Sequence, residues 1–205
     1  MPRPRVYDID RVLDAAESLA AEAGPSAMTI RAVAAAAGVS NGAIYHTFGS
    51  RAELLARTWL RAARRFLATQ RALVDGSLAP REAVVAAAAA PAVFAQQHPQ
   101  SSSVLLAIRR EELSDKEIRR ELADELAATQ AQLVELMVHL ATMMWGRKDA
   151  AAVDVITTCI VDLPTSIVLQ RNRIHDPTAL DHLRAAVRAV LDVGPPPVKQ
   201  QRRRR

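Results

Sequence analysis

The sequence predicts an all-α protein of about nine helices. Half of its 205 residues are apolar (50%), aromatic residues make up 3%, and glycine is scarce beside a large excess of alanine. Alanine is the strongest helix former, and the aromatic residues enriched in strands are few. Apolar residues recur at spacings of three and four along most of the chain. No stretch convincingly alternates with the period of two that a half-buried strand shows.

The elements follow in order. Ile9, Val12, Leu13, Ala16, Leu19 and Ala20 share one helical face, with Asp8 or Asp10 as the cap and Gly24-Pro25 as the stop. Thr29 caps a second helix that buries Val33, Ala34 and Ala37. Gly38 can take the positive φ that ends it. Ser40 or Asn41 then opens a short third helix, with Val39, Ile44 and Phe48 turned to the core. Ser50 and Glu53 form a capping-box pattern that starts a long fourth helix, reaching about Val74. Pro80 suits the first turn of a fifth helix, which Pro91 should kink or divide. A sixth follows His98-Pro99. Ser114 and Glu117 form a second capping box for a seventh, closed by Gly146 after Trp145. Asp149 opens an eighth helix bent at Pro164, and Asp176-Pro177 opens a ninth to Leu191. Gly194-Pro195-Pro196-Pro197 forbids further helix.

The second and third helices, short and joined by a tight turn containing glycine, make a helix-turn-helix whose second helix is shaped for a DNA major groove. Around them the chain resembles the tetracycline-repressor (TetR) family. The matching stretches are Val12 to Ala16, Leu19 to Gly24, Met28-Thr29-Ile30, Ala37 to Ser40, Gly42 to His46, Phe48, and Ser50 to Leu55. Departures from the family pattern occur at Ala20, Asn41, Thr47 and Gly49. They touch packing and phosphate contacts and leave the operator sequence open.

The resemblance implies an N-terminal three-helix helix-turn-helix DNA-binding domain plus a C-terminal helical bundle. It implies DNA contacts at Thr29, Arg31, Ser40, Asn41, Gly42, Ala43, Tyr45, His46 and Arg51. Small residues at the start of the third helix let the backbone approach base edges. Asn41 suits adenine and Ala43 a thymine methyl. Tyr45, His46 and Arg51 match positions that hold phosphate. The competing readings are a half-buried core aromatic for Tyr45 and an ordinary surface histidine for His46.

Charge supports the same assignment. Residues 1–72 carry ten Arg against six acidic residues, residues 73–198 carry twelve basic against sixteen acidic, and Lys199 with Arg202–Arg205 adds five positive charges. A basic reader attracts phosphate, and a mildly acidic body does not compete for it. Arg57, Arg61, Arg64 and Arg65 are read as a solvated face.

Other functions find less support. The five histidines show no ligand spacing and there are no paired cysteines, so no metal or other cofactor is expected. Cys159 alone excludes an intrachain disulfide framework and fits a reducing cytoplasm. The N-terminus lacks an apolar signal core, and no uninterrupted apolar run reaches about 18 residues, so no membrane association is expected. No phosphate loop or nucleophile elbow appears, which speaks against an enzyme.

The expected organisation is a DNA-binding domain at 1–55, with the fourth helix as strut from residue 50. A ligand-binding and dimerisation bundle spans 56–193, and a disordered Pro/Arg-rich tail spans 194–205. By the resemblance, the protein is a cytoplasmic, dimeric, ligand-responsive repressor of a palindromic double-stranded operator. The alternatives are an activator, a regulator without a small-molecule ligand, or an all-helical enzyme or carrier. Trp59, Phe66, Phe94, Met137 and Trp145 are candidates for the wall of a mainly apolar effector site, with Arg109 as polar anchor; each competes with plain core or surface. Val153, Ile156, Ile160, Leu163, Ile167, Leu180, Leu183, Val187 and Val190 form apolar stripes assigned to the interface between two copies.

Overall fold

A computed structural model describes residues 8–77, 79–109, 113 and 118–198. All regular structure among them is helical. The helices are α1 (Ile9–Ala23), α2 (Ile30–Ala37), α3 (Asn41–Phe48), α4 (Arg51–Asp75), α5 (Pro80–Gln97), α6 (Pro99–Ala107), α7 (Arg120–Trp145), α8 (Ala150–Thr157) and α9 (Pro177–Val193), with a short 3-10 turn at Pro25–Ala27. The Ser114–Glu117 cap, Glu111, Glu112, the first residues and the tail from Lys199 lie outside the described residues.

The caps form as their side chains dictate. Asp8 Oδ1 accepts from the Asp10 N–H at 3.0 Å, Thr29 Oγ1 from Ala32 at 3.1 Å, and Ser40 Oγ from Ala43 at 3.2 Å. Ser50 Oγ accepts from Glu53 at 3.0 Å, and Asp176 Oδ1 from Thr178 at 2.9 Å. Each satisfies an amide that the first helical turn leaves unpaired.

The chain divides into two compact units. One holds residues 1–69 and 91–132, the other 70–90 and 133–205. The division does not follow a single cut near residue 55, because α6 and the start of α7 group with the N-terminal helices. In the first unit α1 packs against α2 and α6. Its core joins Val12, Ala16, Met28, Val33, Ile44, Phe48, Leu54 and Leu60 to Val104, Ile108, Leu122 and Leu126.

Two helical prolines are accommodated differently. Pro91 does not divide α5, which runs on to Gln97. Proline has no N–H to give the carbonyl four residues back. That carbonyl, on Ala87, accepts instead from Gln70 Nε2 at 3.0 Å. The expected bend at Pro164 is a change of winding. Two π-helical turns, Thr158–Asp162 and Thr165–Leu169, flank it, and the Gln170 N–H reaches back five residues to Thr165 at 2.8 Å.

The apolar segment Ala150–Leu169 is long and apolar enough to cross a membrane by length and composition, and 33% of it is buried. It is not an unbroken apolar run, because Asp154, Asp162 and three threonines interrupt it.

Candidate DNA-binding site

The helix-turn-helix is built from α2, a turn at Gly38 and α3. Gly38 adopts φ 68°, the left-handed region where a side chain costs about 1–2 kcal/mol, and its N–H closes α2 on Ala34 and Ala35. Ile44 and Phe48 are fully buried, so α3 is held by one face. The opposite face is open: Ser40, Asn41, Gly42 and His46 are exposed, and Tyr45 is 56% exposed. Ala43 is half-buried. A half-buried core role for Tyr45 is therefore set aside. Arg31 is exposed in the first turn of α2, next to its cap Thr29.

Three expected contact residues have internal duties. Ser40 and Thr29 use their oxygens as helix caps. Arg51, assigned to phosphate by resemblance, donates from Nε to the Met28 carbonyl at 2.9 Å and from Nη2 to the Pro25 carbonyl at 2.8 Å. These carbonyls belong to the tight 3-10 turn before α2 and its cap, and Arg51 braces that turn onto α4.

Buried carboxylates position the reader helices, and here sequence reasoning fell short. Glu17, 2% exposed, accepts from Arg61 at 3.0 Å, Arg65 at 3.1 Å and Ser101 at 2.9 Å. It ties α1 to α4 and α6. Glu53, 3% exposed, accepts from Arg57 at 3.2 Å and Arg119 at 2.7 Å, and Arg119 also donates to the Thr47 carbonyl at 3.0 Å. So Arg57, Arg61, Arg64 and Arg65 are not a freely solvated face; each meets a carboxylate. The available signal was Glu17 itself, which falls in phase with Leu13, Ala16 and Ala20 on the inward stripe of α1.

The six effector candidates do not share one unit. Trp59, Phe66, Phe94 and Arg109 belong to the first, Met137 and Trp145 to the second. Phe66 and Phe94 meet edge to face, ring centres 5.5 Å apart, and Phe94 also packs on His98 at 5.3 Å. The Trp59 indole donates to the Ile108 carbonyl at 3.1 Å. Met137 is buried and accepts from Thr157 Oγ1 at 3.4 Å. Arg109 is exposed rather than turned inward, because α6 ends at Ala107 and the chain leaves the helix.

The interface stripes also split. Ile156, Ile160, Leu183 and Val187 are buried in the chain's own core and have no surface to offer a second copy. Val153, Leu163, Ile167, Leu180 and Val190 are half-buried.

No group of three or more potential metal ligands occurs among the described residues. Burial pushes the Cys159 thiol up to about 12, so it is a neutral, inert side chain near neutral pH.

Residues 12–58 match the family model described as bacterial regulatory proteins, tetR family. No curated protein matches the chain. Solved structures do. PfmR, a TetR family transcriptional regulator from Thermus thermophilus, is 21% identical with a TM-score of 0.64, over 89% of this chain and 98% of that one. A TetR-family regulator from Streptomyces coelicolor is 20% identical with a TM-score of 0.64, over 91% and 98%. The regulator FadR from Bacillus subtilis, solved in complex with stearoyl-CoA, is 16% identical with a TM-score of 0.66, over 90% and 97%. The chain therefore shares the fold of these TetR-family structures, and its helix-turn-helix region, residues 12–58, is what matches the tetR family model.

Proposed function

We propose that the protein is a cytoplasmic, non-enzymatic, dimeric transcription repressor that a small molecule releases from a palindromic operator. One observation carries the reading: α3 is anchored by Ile44 and Phe48, while Asn41, Gly42, Tyr45 and His46 face outward on one short helix. Asn41 and Ala43 read bases; Tyr45, His46 and Arg31 hold backbone. Residues 1–55 are the reader and 56–193 the responsive body.

The half-buried Val153, Leu163, Ile167, Leu180 and Val190 are the surface offered to a second copy. The low burial of Ala150–Leu169 supports this. A two-fold dimer sets two recognition helices about 34–36 Å apart on one side of the duplex. The effector is mainly apolar and lies first against the Phe66–Phe94 pair. It releases DNA only by preferring the conformation that fits the operator poorly.

Selection of bound duplexes from a random pool tests the reading. The wild-type chain should enrich an inverted repeat, and Asn41→Ala should cost about 1–3 kcal/mol on it and less on variants of the site. Ile167→Glu should yield monomers by sedimentation. A panel of lipophilic compounds should release the duplex and perturb Trp59 fluorescence, and Phe66→Ala should weaken both effects. Failure to enrich any sequence overturns the assignment and favours a carrier or enzyme.

A further inference from the structure

Among the described residues, the arginines of α1, α2 and α4 as far as Arg65 fall into two groups. Arg51 is bound to backbone carbonyls, Arg57 to Glu53, Arg61 to Asp14 and Glu17, Arg64 to Glu125, and Arg65 to Glu17. Two in this region, Arg11 and Arg31, are exposed and have no ion pair or hydrogen bond among the described residues. Arg31 is already assigned to the DNA face. Arg11 is on a different helix, α1, and no motif pointed to it.

Its lack of a partner has a cause. Asp14 lies three residues on and would ordinarily pair with it. Asp14 instead meets Arg61 Nη2 at 2.9 Å, and Asp10 lies 3.6 Å from Arg61 Nη1. Arg61 draws both carboxylates to the α4 side of α1 and leaves Arg11 uncompensated. The Arg11 guanidinium then stands over the helix-turn-helix turn: its Nη2 is 3.3 Å from where a Cβ on Gly38 would be. Gly38 is two residues before Ser40, the cap of α3. A positive charge is thus held at the turn that leads into the recognition helix, and glycine leaves room for the guanidinium there.

We propose that Arg11 is a DNA-backbone contact, holding a phosphate beside the turn while α3 enters the groove. The inference rests on the DNA-binding reading above. A guanidinium without an internal carboxylate gains most from phosphate, with which it makes paired, charge-assisted hydrogen bonds. Such a contact sets position and adds affinity without adding sequence preference. The competing role is purely structural, a cation near the carbonyl end of α2.

The salt dependence of binding decides between them. The probe is the duplex that the wild-type chain enriches from a random pool. For Arg11→Gln the slope of log affinity against log salt should fall by about 0.9 for each copy of the residue on the duplex. Relative preference among operator variants should not change. Arg11→Lys should keep most of the slope, and Arg11→Glu should weaken binding further. Thermal midpoint and circular dichroism verify that each variant is folded. An unchanged slope in Arg11→Gln overturns the proposal, and with a lowered midpoint it assigns Arg11 to capping α2. A slope that falls together with altered site preference also overturns it, since Arg11 would then read bases. If the wild-type chain enriches no duplex, the regulator reading fails first and this inference falls with it.

Discussion

The two units of the chain are stabilised by different chemistry. In the first, the interior holds Glu17, Glu53, Thr58, Ser101, Ser102 and Thr129; in the second, the buried polar side chain among the described residues is Gln70. The first unit fixes its helices with directional bonds from charged groups. The second is an alanine-rich, apolar interior, with Ala83, Val84, Ala87, Ala88 and Ala90 buried along α5 and its ion pairs at the rim, such as Arg188–Glu82 and Arg81–Asp192. Apolar contact is non-directional and tolerates small shifts; a buried carboxylate bridging three helices does not. On the proposed function, a helix-turn-helix that must present α3 in one orientation suits the first chemistry.

The largest expected effect breaks the first chemistry. Glu17→Ala leaves Arg61, with a side chain 12% exposed, short of its main partner. Loss of one member of a buried pair costs about 3–5 kcal/mol, so the urea midpoint should fall sharply. Glu17→Gln should lose somewhat less, since it still accepts from Ser101. A loss below about 1 kcal/mol in either variant would reduce the network to the worth of ordinary exposed pairs.

The next test probes Gln70, the buried polar side chain of the second unit among the described residues. Gln70→Leu abandons the Ala87 carbonyl and should cost about 1–3 kcal/mol. In a Pro91→Ala background the helix supplies its own N–H to that carbonyl, and the cost should shrink. A double-mutant cycle with no coupling would show that Gln70 does not serve Pro91.

A smaller effect comes from the local caps. Ser40→Ala should cost about 1 kcal/mol of stability, read as earlier hydrogen exchange of α3 amides than of α1.

The smallest concerns acid. The Arg147 guanidinium beside Asp149, helped by the Ala152 N–H, lowers its carboxyl from 3.8 to about 2. A depressed carboxylate contributes stability above its unfolded value, and that contribution is lost as pH falls through the folded one. Asp149→Asn keeps the cap of α8 and removes the charge. Its stability should therefore match wild type more closely at pH about 2 than at pH about 5, the two curves converging between those values.

Much of the fold was legible because its signals are local. The caps at Asp8, Thr29, Ser40, Ser50 and Asp176 each act within two or three residues, so residue type and spacing suffice to place a helix start. Gly38 carries its turn in its own backbone freedom. The helix-turn-helix and the family resemblance stand on the same short-range grammar. The end of α6 at Ala107 carries no such signal, since neither Gly nor Pro follows it.

The sequence by itself thus determined the all-α class, the order of the helices, the helix-turn-helix and the outward residues of α3. The tertiary structure decided what the charges do. Ser101 is 84 residues from Glu17 and Arg119 is 66 from Glu53, distances over which periodicity carries no information. It also decided which apolar stripes are core, since Ile156 and Leu183 face inward while Leu163 and Leu180 stay half-exposed. And it left Arg11 without a carboxylate among the described residues, because Asp14 on its own helix is drawn to Arg61. A sequence records which groups need partners; only the packed chain assigns them, because the free energy of a charge depends on what surrounds it.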